Sequence, residues 1–297
     1  MATDGNGAER ALDGLVLALH ARGRLRVWSL AVTVFGDAIV PRGGKAGLSV
    51  LQEIMGRLGI ENGALRTAMS RLAADGWVVR ERSGRNSIYA LAGSGRRAFD
   101  EATRRIYAAG PPEWDGRWTV ALLTGSSADE RTAELAEAGF AHVGGPTWIR
   151  PETSAAPTIP EAAGDMLVIG GTSDGLPALA DRFFDLEALA KSYRGLVEAF
   201  SPLHRSLETG DGLCPLEAMA ARTLLIHDWR RAVLHDPGLP AELLPADWPG
   251  ETARALVRSV YTRLAPASEH WLDEAGLPPQ RDPTRFAARF GIFQSSR

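Results

Sequence analysis

The sequence is short of residues on which several classes of protein depend. Among 297 residues there is one cysteine, Cys214, and there are two lysines, Lys45 and Lys191. A single thiol excludes an internal disulfide framework and the usual spacings of a cysteine-based zinc site, and it favours a reducing compartment. The apolar run at residues 28–40 is interrupted by Asp37, and the N-terminus is acidic ahead of a short apolar stretch. Neither a signal peptide nor a membrane span is therefore indicated, and we expect a cytoplasmic protein.

The motifs of several enzyme classes are also missing. The strand-like residues 165–170 run into glycines, but these do not form the G-x-G-x-x-G pattern of a dinucleotide site. There is no G-x-S-x-G nucleophile elbow. The first strand of the central region ends in "LLTGSSAD", which lacks the carboxylate pair that a metal-dependent nuclease needs. We therefore expect no catalytic residue, no cofactor and no bound metal.

Charge is unevenly distributed along the chain. The first 110 residues contain 16 basic and 10 acidic side chains, a net charge of +6, whereas the remainder contains 17 basic and 26 acidic side chains, a net charge of −9. Such an asymmetry is typical of a basic contact module joined to an acidic remainder with a different partner. A nucleic acid is the expected partner of the basic part.

The order of the predicted elements divides the chain into three domains. Pro111 and Pro112 end a helical pattern, so the first domain covers residues 20–110. Strand, helix, two short strands and a further strand then predict a small α+β domain at residues 111–175. Residues 176–280 are predicted to be all helical. We expect the first dozen and the last dozen residues of the chain to be poorly ordered.

The stretch "GALRTAMSRLAADGWVVRERSGRNSIYAL", residues 63–91, predicts a helix followed by a β-wing. Gly76 ends the helix, and residues 77–82 and 87–91 are expected to pair across the turn "SGRN". Upstream, residues 48–58 predict a second helix, and the short turn "GIEN" between the two helices is typical of a helix-turn-helix. A third helix at residues 24–40 is expected to pack behind both.

The exposed face of the helix that begins at residue 63 carries groups suited to base recognition. At about 100° per residue its apolar side chains share one side, and the guanidiniums and hydroxyls share the other. Arginine binds guanine bidentately, and hydroxyls bind phosphates or base edges. The wing tip adds further donors for phosphates or the minor groove. The candidates for contact with DNA are Arg66, Thr67, Ser70, Arg71, Arg82, Arg85 and Asn86.

The stretch "HDWRR", residues 227–231, is the densest group of reactive side chains outside the predicted DNA module. One interpretation is structural: Asp228 and Arg231 pair along a helix and Trp229 packs into the core. Another places these residues in an effector site or a dimer interface. A metal shared by His227 with His204 or His235 is a third, weaker alternative, since adjacent His and Asp side chains on a helix do not converge on one ion.

Several longer strings resemble the PaaX-like repressors of phenylacetic acid catabolism. They are "VTVFGDAIVPRGG", the helix and wing quoted above, "RRIYAAGPPEWDGRW", "HDWRR", "DPGLPAELLPADWPG" and "HWL", and together they span about residues 25–275. The resemblance implies an α+β multidomain protein with an N-terminal winged helix-turn-helix, a central ferredoxin-like domain similar to Cas2 proteins, and an all-α C-terminal domain. It also implies a homodimeric repressor that binds operator DNA and is released by an aryl-acetyl-CoA thioester such as phenylacetyl-CoA.

A CoA effector carries several phosphates, so its site in the acidic half needs local arginines, together with aromatic side chains for the acyl group. The candidates are Trp148, Arg150, Arg194, His227, Trp229, Arg230 and Arg231. Two other functions stay open at this point. One is a winged-helix protein with a catalytic C-terminal half that acts on acyl-CoA, and the other is a protein-interaction module that uses the wing.

Overall fold

The computed structural model describes residues 6–23, 25–83, 86–124, 128–157, 159, 165–175 and 180–291. The chain forms two compact units, each built from separate stretches of sequence. The first unit contains Met1–Ala109, Arg194–Arg231 and Glu251–Arg297, and the second contains Gly110–Tyr193 and Ala232–Gly250. The N-terminal residues therefore share a unit with C-terminal helices.

The described part of the chain is a mixed α+β fold with two small sheets. The α-helices are α1 (Gly7–Ala21), α2 (Val27–Val34), α3 (Leu48–Arg57), α4 (Asn62–Ala74), α5 (Gly93–Ile106), α6 (Ala128–Glu137), α7 (Ala180–Phe183), α8 (Leu186–Glu208), α9 (Pro215–Val233), α10 (Gly250–Glu274) and α11 (Pro283–Ala287). The strands are β1 (Lys45–Gly47), β2 (Val78–Ser83), β3 (Asn86–Leu91), β4 (Trp114–Leu123), β5 (Ala141–Gly144), β6 (Thr147–Thr153) and β7 (Met166–Thr172). Among the described residues, no helix has the length and apolar character needed to cross a membrane.

Helix α1 begins at Gly7 with Asn6 as its N-cap, so the expectation of a poorly ordered first dozen residues was wrong for residues 6–12, and residues 1–5 lie outside the described residues. The Asn6 side chain accepts a hydrogen bond from the Glu9 amide, and the Glu9 carboxylate accepts one from the Asn6 amide, each at 3.0 Å. This reciprocal pair is a capping box, which satisfies amides that a helix start otherwise leaves unpaired. Leu12, Leu15 and Leu19 then bury the inner face of α1.

The N-terminal region contains two helices joined by a tight turn and followed by a hairpin. Helices α3 and α4 are separated by four residues, of which Gly59 has φ +71°. A Cβ built on Gly59 would lie 2.9 Å from His20 Nε2, so both the backbone conformation and the close approach require glycine. Strands β2 and β3 pair antiparallel, from Val78 opposite Leu91 to Ser83 opposite Asn86, and β1 pairs with the other edge of β3.

The helix predicted at residues 24–40 is interrupted. Helix α2 passes into a π-helical segment, Phe35–Ile39, and then into a short 3-10 turn, Val40–Arg42. A π segment inserts an extra residue into a helical turn and changes the direction in which later side chains point. Here it turns the Asp37 side chain into the protein interior, where 1% of the residue is exposed.

The sheet of the second unit has four antiparallel strands in the order β5-β6-β4-β7. Side chains of β4 point alternately to the two faces of the sheet, and each face contributes to a separate apolar cluster. Trp118 packs with residues from β5, β6 and the segments near residues 183–186 and 239–244. Ala121 and Leu123 pack with Leu135 of α6 and with Phe140. Both faces of the sheet are therefore partly covered, as the alternation of a strand allows.

The last dozen residues, 286–297, were also expected to be poorly ordered, and this was wrong for residues 286–291. Phe290 is fully buried against Tyr107 and Tyr261, with ring centroids 5.2 and 5.4 Å away. Its amide donates to the Tyr107 carbonyl at 3.0 Å. Its φ of +57° makes Phe290 the one non-glycine residue with a left-handed backbone in the described ranges.

Candidate nucleic-acid interface and buried charge network

The outer face of α4 carries the side chains that the sequence predicts for base recognition. Leu65, Met69 and Leu72 are buried on the inner face, whereas Arg66, Thr67, Ser70 and Arg71 are all exposed. Helix α2 packs against α4 from inside the unit. The four polar side chains therefore project from a helix whose position is fixed by its apolar side.

Local contacts constrain two of these four side chains. The Thr67 hydroxyl donates to the Gly63 carbonyl at 3.1 Å. Arg71 Nε lies 3.7 Å from an Asp75 carboxylate oxygen, and both side chains are more than half exposed. An exposed pair of this kind contributes little and opens readily. Arg66 has no ion pair or hydrogen bond to the residues that the structure describes, so its guanidinium is available to a partner.

The wing is described in part. Arg80 donates to the Ser87 hydroxyl across the hairpin, at 3.1 Å from Nε and 2.7 Å from Nη2. Of the predicted wing contacts, Arg85 lies outside the described residues, and so do the side chains of Arg82 and Asn86. Their role in binding stays a prediction from the sequence.

The predicted effector residues fall in both compact units. Trp148 and Arg150 belong to the second unit, whereas Arg194, His227, Trp229, Arg230 and Arg231 belong to the first. Trp148 is buried in the cluster beside α6. Arg150 is 2% exposed and donates to the carbonyls of Ala138 and Pro157, at 2.7 and 2.6 Å. These bonds tie Arg150 to the protein's own backbone.

The "HDWRR" stretch lies near the end of α9. Trp229 is fully buried and donates to the Ile106 carbonyl at 2.7 Å, which agrees with the structural interpretation of that residue. Asp228 accepts from Arg22 at 2.7 Å. Arg230 donates to the Ser29 hydroxyl at 2.7 Å, and Arg194 and Arg231 are exposed.

His227 is 5% exposed and lies 3.2 Å from the Thr33 hydroxyl through Nδ1. Burial, and then the nearby Arg230, Arg231 and Arg22, lower the pKa of His227 to about 3. The folded protein therefore keeps a neutral imidazole at a pH at which the unfolded chain is protonated. Groups of three or more His, Cys, Asp and Glu side chains that could hold a metal ion are absent from the described residues.

Above about pH 6.5 His227 is neutral in the folded and in the unfolded chain, so its titration does not affect the free energy of unfolding. As the pH falls from about 6.5 toward about 3, only the unfolded chain gains the proton, and we expect the free energy of unfolding to decrease. Between pH 7 and pH 5 the wild-type protein should lose about 2 kcal/mol more unfolding free energy than the His227→Gln variant. Urea unfolding at several pH values measures this difference. His270→Gln is the matched control, because its side chain is 62% exposed. If the free energy of unfolding changed with pH equally in the wild type and in His227→Gln, the prediction would be contradicted.

A buried network of charges surrounds Asp37 in the first unit, and no sequence motif predicts a role for it. The Asp37 carboxylate accepts from Arg222 Nε at 2.6 Å, from Arg289 Nη1 at 2.9 Å, and from the hydroxyls of Tyr107 and Tyr261. Burial raises the pKa of Asp37, but Arg222 and Arg289 more than offset that effect, so its pKa is lowered. Asp37 therefore stays ionised inside the protein.

The network continues from Asp37 toward the start of the first sheet. Arg222 also binds Glu269 of α10, and Glu269 accepts from Arg42 at 2.7 Å. Arg42 reaches Asp273 at 2.7 Å as well. The chain of alternating charges joins the segment after α2 to helices α9 and α10. One sequence signal could have found it, namely the lone acid, Asp37, in the apolar run 28–40.

These features define a class: an α+β protein that presents a helix–turn–helix pair and a hairpin, with its N-terminal helices joined to C-terminal helices by buried charges. The chain belongs to the PaaX-like protein family. The model of the PaaX-like protein matches residues 26–95, and that of the PaaX-like protein C-terminal domain matches residues 184–274. The chain is 34% identical over 263 residues to the transcriptional repressor PaaX of Escherichia coli (strain K12), which is 84% of this chain and 83% of that protein.

The fold is similar to a solved structure. The uncharacterized protein Rv0674 from Mycobacterium tuberculosis superposes with a TM-score of 0.55 and 24% identity. The match covers 82% of this chain and 97% of that structure. At this identity the likeness concerns the fold alone.

Proposed function

We propose that the protein is a DNA-binding transcriptional repressor of a phenylacetate-type catabolic operon, acting in the cytoplasm. The observation that carries this proposal is the 34% identity, over most of both chains, to the transcriptional repressor PaaX. The exposed polar face of α4 supplies the chemistry that such a protein needs. The protein is a regulator and not an enzyme.

The arrangement supports a winged helix-turn-helix in which α4 enters the major groove. Its base contacts come from Arg66 and Arg71, with Thr67 and Ser70 at phosphates or base edges. The wing adds phosphate contacts from Arg82, Arg85 and Asn86. In the second unit, the strand order β5-β6-β4-β7 with α6 between β4 and β5 fits a ferredoxin-like domain. The proposed domains cover residues 20–110, 111–175 and 176–280.

The repressor acts as a homodimer on a two-fold operator. One recognition helix reads only a few base pairs, so genomic specificity needs two half-sites. An aryl-acetyl-CoA thioester, such as phenylacetyl-CoA, releases the DNA by favouring an arrangement of the paired helices that does not fit the operator. The candidates for its binding stay Trp148 and Arg150 in the second unit, and Arg194, His227, Trp229, Arg230 and Arg231 in the first.

A mobility-shift assay on the intergenic DNA upstream of the protein's own gene tests this function. We expect selective binding that phenylacetyl-CoA abolishes and that phenylacetate or CoA alone leaves in place. The stoichiometry, from light scattering of the complex, should be two chains per site. Equal affinity for the upstream DNA and for unrelated DNA of the same length would overturn the proposal.

The Arg66→Ala variant tests whether α4 recognises the bases of the operator. Loss of a bidentate base contact should weaken operator binding by about 1–3 kcal/mol and relax the preference at one base pair of each half-site. Binding to operator variants, measured by fluorescence anisotropy, gives both quantities. Arg205→Ala, at an exposed arginine of α8, is the control for the loss of one positive charge. If Arg66→Ala weakened operator and non-specific binding equally, Arg66 would be a phosphate contact only.

A further inference from the structure

Arg80 is an exposed arginine of the wing that the hairpin itself holds in one position. Its guanidinium donates to the Ser87 hydroxyl through Nε at 3.1 Å and through Nη2 at 2.7 Å. In the hairpin register Arg80 lies opposite Tyr89, so Ser87 is its diagonal neighbour on the next strand, within reach of a long side chain. Two bonds to one oxygen fix both the position and the plane of the guanidinium.

The bond to Ser87 leaves one edge of the guanidinium without a partner among the residues that the structure describes. The bond uses the edge formed by Nε and Nη2, and the edge formed by Nη1 and Nη2 makes no hydrogen bond or ion pair there. Glu81, the acid next in sequence, points to the other face of the strand and pairs with Lys45 at 3.0 Å. A planar edge with two parallel N–H groups matches two oxygens of one phosphate.

The partner that holds Arg80 is neutral. A serine hydroxyl accepts the two N–H groups without cancelling the positive charge, as a carboxylate would. An arginine that moves freely loses rotamer freedom when it binds a ligand, whereas one that is already held loses less. The Arg80–Ser87 bond therefore orders the side chain and keeps its charge available to an anion.

The face of the hairpin that carries Arg80 is the face turned toward the helices. Side chains alternate along a strand, so Val78 and Arg80 share one face of β2, and Val79 and Glu81 share the other. Val78 is 3% exposed and Val79 is 49% exposed, and β2 packs against α4. The buried face is therefore the inner one, and Arg80 lies on it, beyond Val78 toward the wing tip.

We propose that Arg80 binds a backbone phosphate of the duplex whose bases α4 recognises, and that Ser87 is its positioning residue. A duplex in contact with the exposed side chains of α4 passes the face of the hairpin on which the free edge of Arg80 lies. This inference rests on the proposed function for DNA as the partner. It adds to the wing contacts of that proposal, Arg82, Arg85 and Asn86, a contact that the fold holds in place before DNA binds.

Salt titrations of DNA binding by the full chain test both roles. Each phosphate contact adds about one to the slope of log Kd against log salt concentration, and a symmetric dimer doubles this contribution. We expect Arg80→Gln to weaken binding about 10- to 100-fold at low salt and to lower the slope by about two. Ser87→Ala keeps the charge, so the slope should stay the same while the affinity falls about 3- to 10-fold, because the arginine is then ordered only on binding. Ser87→Thr, which keeps the hydroxyl, should restore the wild-type affinity.

Lys45→Gln is the matched control, because Lys45 is an exposed cation on the opposite face of the same sheet. Its slope should equal that of the wild type, and an equal decrease in Lys45→Gln and Arg80→Gln would overturn the contact, since the cause would be net charge. An unchanged slope in Arg80→Gln would also overturn it. Urea unfolding of each variant, measured in parallel, shows whether the bond then only stabilises the hairpin.

Two duplexes of equal length separate this contact from the proposed function: the DNA upstream of the protein's own gene and an unrelated sequence. A phosphate contact acts on both. A lower slope for Arg80→Gln on both duplexes, without any preference of the wild type for the upstream DNA, would support the contact and overturn the operator function. A clear preference for the upstream DNA with an unchanged slope in Arg80→Gln would keep the function and overturn the contact. Equal affinities of Ser87→Ala and the wild type would overturn the positioning role of Ser87.

Discussion

Replacing Asp37 by alanine is expected to lower the free energy of unfolding by about 3–5 kcal/mol. The loss arises because Arg222 and Arg289 then lie in the interior without their counter-charge, and because the hydroxyls of Tyr107 and Tyr261 lose their shared acceptor. This free energy is the cost of leaving the two arginines without their carboxylate, and it differs from the net contribution of the intact ion pairs to stability. Urea unfolding of the full chain, followed by circular dichroism, measures it.

An exposed ion pair is the matched control for Asp37. Lys45 and Glu81 lie 3.0 Å apart with side chains 58% and 49% exposed, so Lys45→Ala should change the stability by less than about 1 kcal/mol. Asp37→Asn keeps the shape of the side chain and removes the charge, and it should be nearly as destabilising as alanine if charge is decisive. A loss below about 1 kcal/mol for Asp37→Ala would refute the central role of this carboxylate.

The Phe290→Ala variant should lose about 3–5 kcal/mol of stability, the usual cost of removing a fully buried phenyl ring. The ring fills the space between Tyr107 and Tyr261 and lies next in sequence to Arg289, which binds Asp37. Its removal leaves a cavity in the part of the first unit where the N-terminal and C-terminal stretches meet. Thermal and urea unfolding report the loss.

Comparison with Phe290→Gly separates packing from backbone strain. The φ of +57° at this position suits glycine better than alanine. The glycine variant should therefore be at least as stable as the alanine variant, against the usual order of the two residues. If alanine were clearly the more stable of the two, the left-handed backbone at residue 290 would not be maintained in solution.

Asp37 and Phe290 both lie in the first unit, where stretches from the two ends of the chain meet. The stretch matched by the PaaX-like model, residues 26–95, lies wholly in the first unit, and so do residues 194–231 and 251–274 of the stretch matched by the C-terminal model. Asp37, Arg222 and Arg289 come from three distant parts of the chain and meet at one carboxylate. Helix α4 and residues 215–231 of α9 therefore belong to the same compact unit.

The sequence by itself determined the local structure around α4. Apolar spacing at Leu65, Met69 and Leu72 specifies which face is buried, and the glycines at 59 and 76 specify where the turns fall, because both signals act within a few residues. The sequence also predicted the strands of the second unit, and the burial of Trp229 agrees with one of the interpretations that the sequence left open for that residue. The start of α1 could also have been predicted from the sequence, because Asn6 and Glu9 have the spacing of a capping box, but that signal was missed.

Only the tertiary structure decided which charges meet. Arginine is the main cation of this chain, so its pattern does not distinguish Arg222, buried against Asp37, from Arg66, exposed on α4, or from Arg230, left with neutral partners. Burial is a property of the surroundings that distant segments supply, and residues 37, 222 and 289 are brought together only when α2, α9 and the C-terminal turn pack. The same type of side chain is therefore paired in the interior, exposed on a helix or held by neutral oxygens, according to what distant segments place around it.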